Sequence, residues 1–169
     1  MPFVEKFLGR GVDIPEDRRY FPGQGLWAKA QGRGVFFGLT EPFLVLAGGF
    51  NEVEWLFEDG QQVAGGDAVV FAVTGKILYI EAPVAGAVFF NPGAKREPRS
   101  VVRDPYGEGW LFRIVPAAAH PDLPGSLDAL EYLESLRNSE GFKNPEGLKG
   151  GVSGICKAVY SGIREQKIS

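Results

Sequence analysis

Short apolar runs separated by turn residues constrain the fold of this chain more than any other feature. The runs are rich in β-branched and aromatic residues, and Gly, Pro or Asp interrupts them at regular intervals. The 24 glycines and 12 prolines suit many short strands joined by tight turns better than a helical bundle. This spacing predicts a mainly β domain, a sandwich or barrel of antiparallel strands. The predicted strands cover residues 26–30, 35–39, 43–47, 52–57, 68–73, 77–82, 87–90 and 109–115.

One predicted hairpin places a lysine at its exposed tip. Only Thr74, Gly75 and Lys76 separate two strand-forming runs, and Gly75 is expected to supply the positive φ that such turns often need. Lys76 then stands at the tip, with a flexible stem and a primary amine that another enzyme can acylate. A solvated lysine is also an ordinary turn residue, so position alone does not decide its role.

A helix is predicted after the β domain. Leu127, Leu130, Leu133 and Leu136 share one helical face, and Ser126 with Asp128 suits the N-terminus. A Gly-rich and Asn-rich linker follows from residue 138, and residues 152–163 again show helical spacing. The predicted organisation is an N-terminal arm (1–18), a β domain (19–116), a linker with a helix (117–137) and a C-terminal extension (138–169).

Charge and composition narrow the function classes. The net charge is −3 and the basic residues are scattered, which argues against a nucleic-acid partner. No apolar run is long enough to cross a bilayer, and the N-terminus lacks the layout of a signal peptide. The single cysteine, Cys156, cannot form an internal disulfide and fits a reducing compartment. We therefore predict a cytoplasmic protein, and the sequence leaves its oligomeric state open.

Residues 104–114 carry the most specific motif. They read Asp-Pro-Tyr-Gly-Glu-Gly-Trp-Leu-Phe-Arg-Ile and resemble the closing motif of the glycine cleavage system H protein, a lipoyl carrier. Further segments resemble the same family in order, at residues 38–41, 65–67, 82–86 and 127–136. The resemblance covers roughly residues 19–137.

The resemblance implies both a fold and a function. The fold is the barrel-sandwich hybrid, two antiparallel sheets with lipoate amide-linked to a lysine on an exposed hairpin. The lipoyl arm of the family shuttles an aminomethyl group between partner enzymes and exchanges electrons with a flavoprotein. The carrier performs no chemistry alone. By this resemblance Lys76 is the cofactor-binding residue, covalent lipoate is the cofactor, and the partners are the enzymes of a lipoyl-dependent system and a lipoate-attaching enzyme.

The hairpin departs from the family pattern in two ways. The family's lysine lies eight residues before the proline of its Pro-Val-Ser-Gly turn, and counting back eight from Pro83 gives Gly75. A one-residue deletion in the return strand brings Lys76 into place. The family also has an acidic residue three places before its lysine, where this chain has Val73. The alternative to a working carrier is thus a binding or scaffold module that keeps the fold and has lost the cofactor.

Other candidate residues have weaker support. His120 lies in a loop without a second metal ligand nearby, and Cys156 stands beside a lysine in a Gly-rich tail. Residues 52–66 also resemble the small β domain of quinolinate and nicotinate phosphoribosyltransferases, which has the same topology and no lipoate. An acidic group between residues 52 and 59 is either a solvated face or a docking surface for a partner. Its members are Glu52, Glu54, Glu58 and Asp59.

Overall fold

The computed structural model describes residues 3–7, 10–117 and 123–138. Residues 13–136 belong to one compact unit, which holds both larger sheets, and the described residues 4–7, 10–12 and 137–138 belong to a second. The strands are β1 (Phe3–Phe7), β2 (Arg10–Asp13), β3 (Arg19–Phe21), β4 (Leu26–Gln31), β5 (Gly34–Leu39), β6 (Glu52–Trp55), β7 (Gln62–Val63), β8 (Ala68–Val73), β9 (Ile77–Glu81), β10 (Gly86–Phe90) and β11 (Phe112–Val115). The helices are α1 (Glu41–Ala47), α2 (Pro92–Arg96), α3 (Arg99–Arg103) and α4 (Ala129–Ser135), followed by a 3-10 turn at Leu136–Asn138.

Two antiparallel sheets build the compact unit. One has the strand order β3-β4-β5-β11-β10-β7, the other has the order β6-β8-β9, and β1 pairs with β2 in a separate ribbon. Val53 and Ile80 of the smaller sheet lie in the same buried cluster as Phe37 and Phe112 of the larger one. The two sheets therefore face each other across one apolar core, and the predicted mainly β, barrel-sandwich class is confirmed.

The predicted strand at residues 43–47 is wrong, because this segment forms helix α1. The Thr40 hydroxyl accepts a hydrogen bond from the Phe43 amide at 3.2 Å and caps the helix, and Pro42 occupies its first turn. Gly48 ends the helix with a φ of 82°. The apolar run is too short to show helical periodicity, so the helix is specified by its two ends.

The C-terminal helix exists, and its predicted apolar face is only partly right. It begins after Asp128, which forms a reciprocal capping box with Glu131. Leu130, placed by the sequence on the buried face, is 66% exposed. Of the four predicted leucines only Leu136 is buried, and Leu127 and Leu133 are half-buried. The other buried residues here are Ala129 and Tyr132.

Tyr132 explains this rotation of α4. Its ring stacks on Tyr20 with centroids 4.7 Å apart, and its hydroxyl lies 2.7 Å from the Thr40 hydroxyl. An aromatic stack and a buried hydrogen bond are available to Tyr132 and to none of the leucines, so α4 turns the tyrosine inward.

The motif at residues 104–114 ties distant segments together. The indole N–H of Trp27 donates to the Pro105 carbonyl at 2.9 Å, and the Tyr106 hydroxyl donates to the Asp13 carbonyl at 2.6 Å. The same hydroxyl accepts a hydrogen bond from the Glu41 amide at 3.0 Å. These bonds join the turn to β4 and to the start of α1. The domain boundaries drawn from the sequence remain predictions.

Candidate functional site

The predicted hairpin is formed by β8 and β9. Val73 pairs with Ile77, which leaves a loop of Thr74, Gly75 and Lys76. Near the base, the register shifts between Ala68 and Val70, because Val69 has no opposite residue in β9. The outgoing strand thus has one residue more than the return strand.

Thr74 closes the loop from within. It is 4% exposed, and its amide donates to the Lys76 carbonyl at 2.7 Å. Its hydroxyl donates to the same carbonyl at 3.0 Å and accepts from the Lys76 amide at 3.2 Å. The backbone of Lys76 is therefore fixed at both its amide and its carbonyl.

Gly75 holds the loop against the end of α1. Its amide donates to the Ala47 carbonyl at 2.6 Å, and the Asn51 side-chain amide donates to the Thr74 carbonyl at 3.1 Å. The expectation of a positive φ at Gly75 is wrong, since its φ lies outside the left-handed region. Glycine is required for a different reason. A Cβ at this position would lie closer than 3.0 Å to the carbonyl oxygen of Ala47.

Lys76 is the loop residue whose side chain projects into solvent. It is exposed, and within the described part of the chain its amine has no hydrogen bond or ion pair. Thr74 is buried and Gly75 has no side chain. The loop thus presents one free primary amine on a fixed backbone.

The far end of the return strand is also held in place. The side-chain amide of Gln24 donates to the Glu81 carbonyl at 3.1 Å, and its oxygen accepts from the Glu81 amide at 2.6 Å. Gln24 thereby satisfies the backbone of an edge strand as a neighbouring strand would.

The acidic group of residues 52–59 divides into two parts. Glu52 and Glu54 lie on β6, directly opposite Val73 and Phe71 of β8. Glu54 forms an ion pair with Lys95 at 2.9 Å, whereas Glu52 has no side-chain partner among the described residues. The other two members, Glu58 and Asp59, lie in the turn beyond the opposite end of β6.

The sequence placed a hydrophobic residue, Val73, where the family has an acid. Cross-strand neighbours in an antiparallel pair point to the same face of a sheet, so Glu52 lies beside Val73 on the outer face. A carboxylate is therefore present near the loop, supplied by the neighbouring strand. Only the pairing of β6 with β8 shows this, and no spacing along the chain signals it.

The structure leaves two of the sequence candidates untested. His120 and Cys156 lie outside the described residues. Within the ranges that are described, no cluster of three His, Cys, Asp or Glu side chains has the arrangement of a metal site. None of the described helices has the length and apolar character needed to span a membrane.

Comparison with known proteins identifies the family. The model of the family described as "Glycine cleavage H-protein" matches residues 18–139. This chain belongs to the glycine cleavage H-protein family. A glycine cleavage system H protein of Thermus thermophilus is 39% identical over 129 residues, which cover 75% of this chain and 98% of the relative. The H protein of Pseudoalteromonas atlantica is 33% identical over 135 residues, covering 78% of this chain and 95% of the relative.

A solved H protein supports the same fold. The crystal structure of a glycine cleavage system H protein from Mycobacterium marinum matches with a TM-score of 0.61 and 27% identity, over 72% of this chain and 98% of the other. The family predicted from the motif at residues 104–114 is therefore confirmed. Membership of the H-protein family also confirms that the chain is a carrier and not an enzyme.

Proposed function

We propose that this chain is a lipoyl carrier of a glycine cleavage-type system, with lipoate held as an amide on Nζ of Lys76. The observation that carries the proposal is the hairpin loop itself. Of its three residues, only Lys76 has a side chain that is both exposed and reactive, and its amine has no partner among the described residues. An attaching enzyme can reach such an amine without first breaking an interaction.

The packing of Gly75 supports a shift of the attachment point by one residue. Strict family spacing places the lysine at residue 75, where any Cβ would meet the Ala47 carbonyl. A lysine at this position is incompatible with the loop as it is folded. Position 76 has no such restriction.

The bulge at Val69 supports the same shift. A one-residue deletion in the return strand leaves the outgoing strand one residue longer, and the pairing of β8 with β9 has that asymmetry. Because the extra residue is absorbed near the hairpin base, the pairs from Val70 to Val73 remain regular up to the loop. The loop is therefore closed and ordered around Lys76.

The attachment chemistry needs a neutral amine and an activated acid. The Lys76 amine attacks the carbonyl carbon of an acyl-adenylate or thioester, the new C–N bond forms, the bond to AMP or thiol breaks, and the amine proton is released. When bound, the lipoyl group would supply a disulfide that two electrons and two protons reduce to a dithiol. The protein holds the root of the arm through Thr74 and Gly75, and the lysine stem provides its freedom of movement.

Intact mass spectrometry tests the proposal directly. The full chain is incubated with a lipoate ligase, lipoate and ATP, and we expect the mass to rise by one lipoyl group. Lys76→Arg keeps the charge but forms no lipoyl amide, so this variant is expected to stay unmodified. Lys95→Arg is the matched control, since Lys95 is another exposed lysine, and it is expected to be modified as fully as the parent.

The same experiment addresses the scaffold alternative. The observation that favours a scaffold is Val73, which stands where the family has an acidic residue. A parent protein that remains unmodified refutes the carrier proposal and favours a module that has lost its cofactor. A modification that survives Lys76→Arg refutes Lys76 as the attachment residue.

A further inference from the structure

An apolar surface lies on the outer face of the carrier hairpin. It consists of Phe71 and Val73 on β8 and Ile77 and Tyr79 on β9, and we call it the hairpin face. Phe71 pairs with Tyr79 and Val73 pairs with Ile77, so the four side chains are contiguous. The centroids of the Phe71 and Tyr79 rings lie 5.3 Å apart. Ile77 is 65% exposed and Tyr79 is 61% exposed.

The core does not account for this surface. The alternate residues of the same strands point inward, where Val70, Ala72 and Ile80 are fully buried. The outward positions of a sheet that is solvated on one side are normally polar. A contiguous apolar group at these positions marks an interaction surface, and tyrosine is among the residues enriched in such surfaces.

Carboxylates border the hairpin face. Glu52 lies opposite Val73 on β6, and Glu81 lies two residues beyond Tyr79 on the same side of β9. Both residues are exposed, and neither carboxylate has a partner within the part of the chain that the structure describes. The surface is therefore apolar at its centre and negative at its border, and it complements an apolar patch with basic side chains around it.

We infer that the hairpin face is the docking surface for the enzyme that acylates Lys76, which contacts it with apolar side chains and pairs basic ones with Glu52 and Glu81. The inference rests on the proposed function. Ile77 follows Lys76 directly, so an enzyme whose catalytic centre reaches Nζ must cover the adjoining residues. Of the partners that the family implies, the attaching enzyme is the one that forms its bond at Nζ itself. The attaching enzyme is thus the partner that the hairpin face fits.

The rate of acylation tests this docking. With purified lipoate ligase, lipoate and ATP, kcat/KM is measured by intact mass for the parent and for the double variant Ile77→Thr with Tyr79→Thr. Threonine suits a strand, so the hairpin is preserved while the apolar contact is lost. We expect kcat/KM to fall about ten-fold, as removal of an anchoring aromatic from an interface does. Leu130→Gln, which changes an equally exposed leucine on α4, is the control and is expected to leave kcat/KM unchanged.

Charge reversal gives a second test that leaves the apolar residues in place. Glu52→Lys combined with Glu81→Lys is expected to slow acylation and to weaken its dependence on salt, because screening acts on the charges that steer the encounter. Glu58→Lys, at the opposite end of β6, is expected to retain the rate and the salt dependence of the parent. Circular dichroism and thermal unfolding confirm that each variant is folded.

The outcomes separate the inference from the proposed function. A parent that is not acylated on Lys76 overturns both. A parent that is acylated on Lys76, with the Ile77 and Tyr79 double variant acylated at the same rate, overturns the docking surface and leaves the carrier intact. A loss of rate that Leu130→Gln shares equally also overturns it, because the effect is then not specific to the hairpin face.

Discussion

Replacing Gly75 by alanine is expected to destabilise the protein by about 2 kcal/mol. The added Cβ would lie closer than 3.0 Å to the Ala47 carbonyl oxygen, so the loop must move away from α1. Overpacking of this kind costs about 1–3 kcal/mol, and losing the bond from the Gly75 amide to the Ala47 carbonyl costs about 1 kcal/mol. Alanine also lowers the conformational entropy of the unfolded chain, which stabilises the folded protein by about 0.4–1 kcal/mol and offsets part of this loss.

Urea and thermal unfolding measure this change. For a chain of this size, 2 kcal/mol corresponds to a fall in Tm of about 4–8 °C. Gly23→Ala is the control, because a Cβ there meets nothing within 4 Å and the glycine has no positive φ. It is expected to unfold at the parent's midpoint or slightly above it. If Gly75→Ala is as stable as Gly23→Ala, the loop is not held by α1 and the argument for a displaced attachment point fails.

Two further predictions concern the buried aromatic residues. Burial raises the pKa of Tyr132 to about 12 and also raises the pKa of Tyr106, so both stay neutral in the folded protein at a pH where the unfolded chain ionises. Stability should therefore be constant up to about pH 10 and fall as the pH rises further, and a urea midpoint that is unchanged at pH 11 would contradict this. Trp27→Phe leaves the Pro105 carbonyl without its indole donor and is expected to cost about 1–3 kcal/mol in urea unfolding. Trp110→Phe, at a half-buried indole with no such bond among the described residues, should cost clearly less, and equal losses would refute the role of the hydrogen bond.

The carrier hairpin was predictable because its signals are local. Alternating apolar runs on both sides of Thr74, Gly75 and Lys76 specify the strands, and the structure keeps their bounds within one residue. The reason for Gly75 was not predictable. It depends on the Ala47 carbonyl, which is distant in sequence and reaches the loop only after α1 has formed where a strand was expected.

The orientation of α4 shows the same limit. Four leucines at helical spacing favour one face, but of these only Leu136 is buried, and Ala129 and Tyr132 are buried with it. The preference comes from Tyr20 and Thr40, contributed by other elements. Periodicity identifies a helix, but the partner surface decides which of its residues are buried. The position of the Glu52 carboxylate beside Val73 was not predictable for the same reason, because the pairing of β6 with β8 brings the two residues together.

The side chain of Gln24 has a consequence for how this protein behaves at high concentration. β9 is an edge strand with apolar residues facing solvent, a combination that invites pairing between copies and growth into aggregates. Gln24 occupies the backbone amide and carbonyl of Glu81, so these groups cannot form hydrogen bonds with the edge strand of a second copy. The hairpin can therefore expose an apolar face to a partner protein while the end of its edge strand is unavailable for pairing with another copy of the chain.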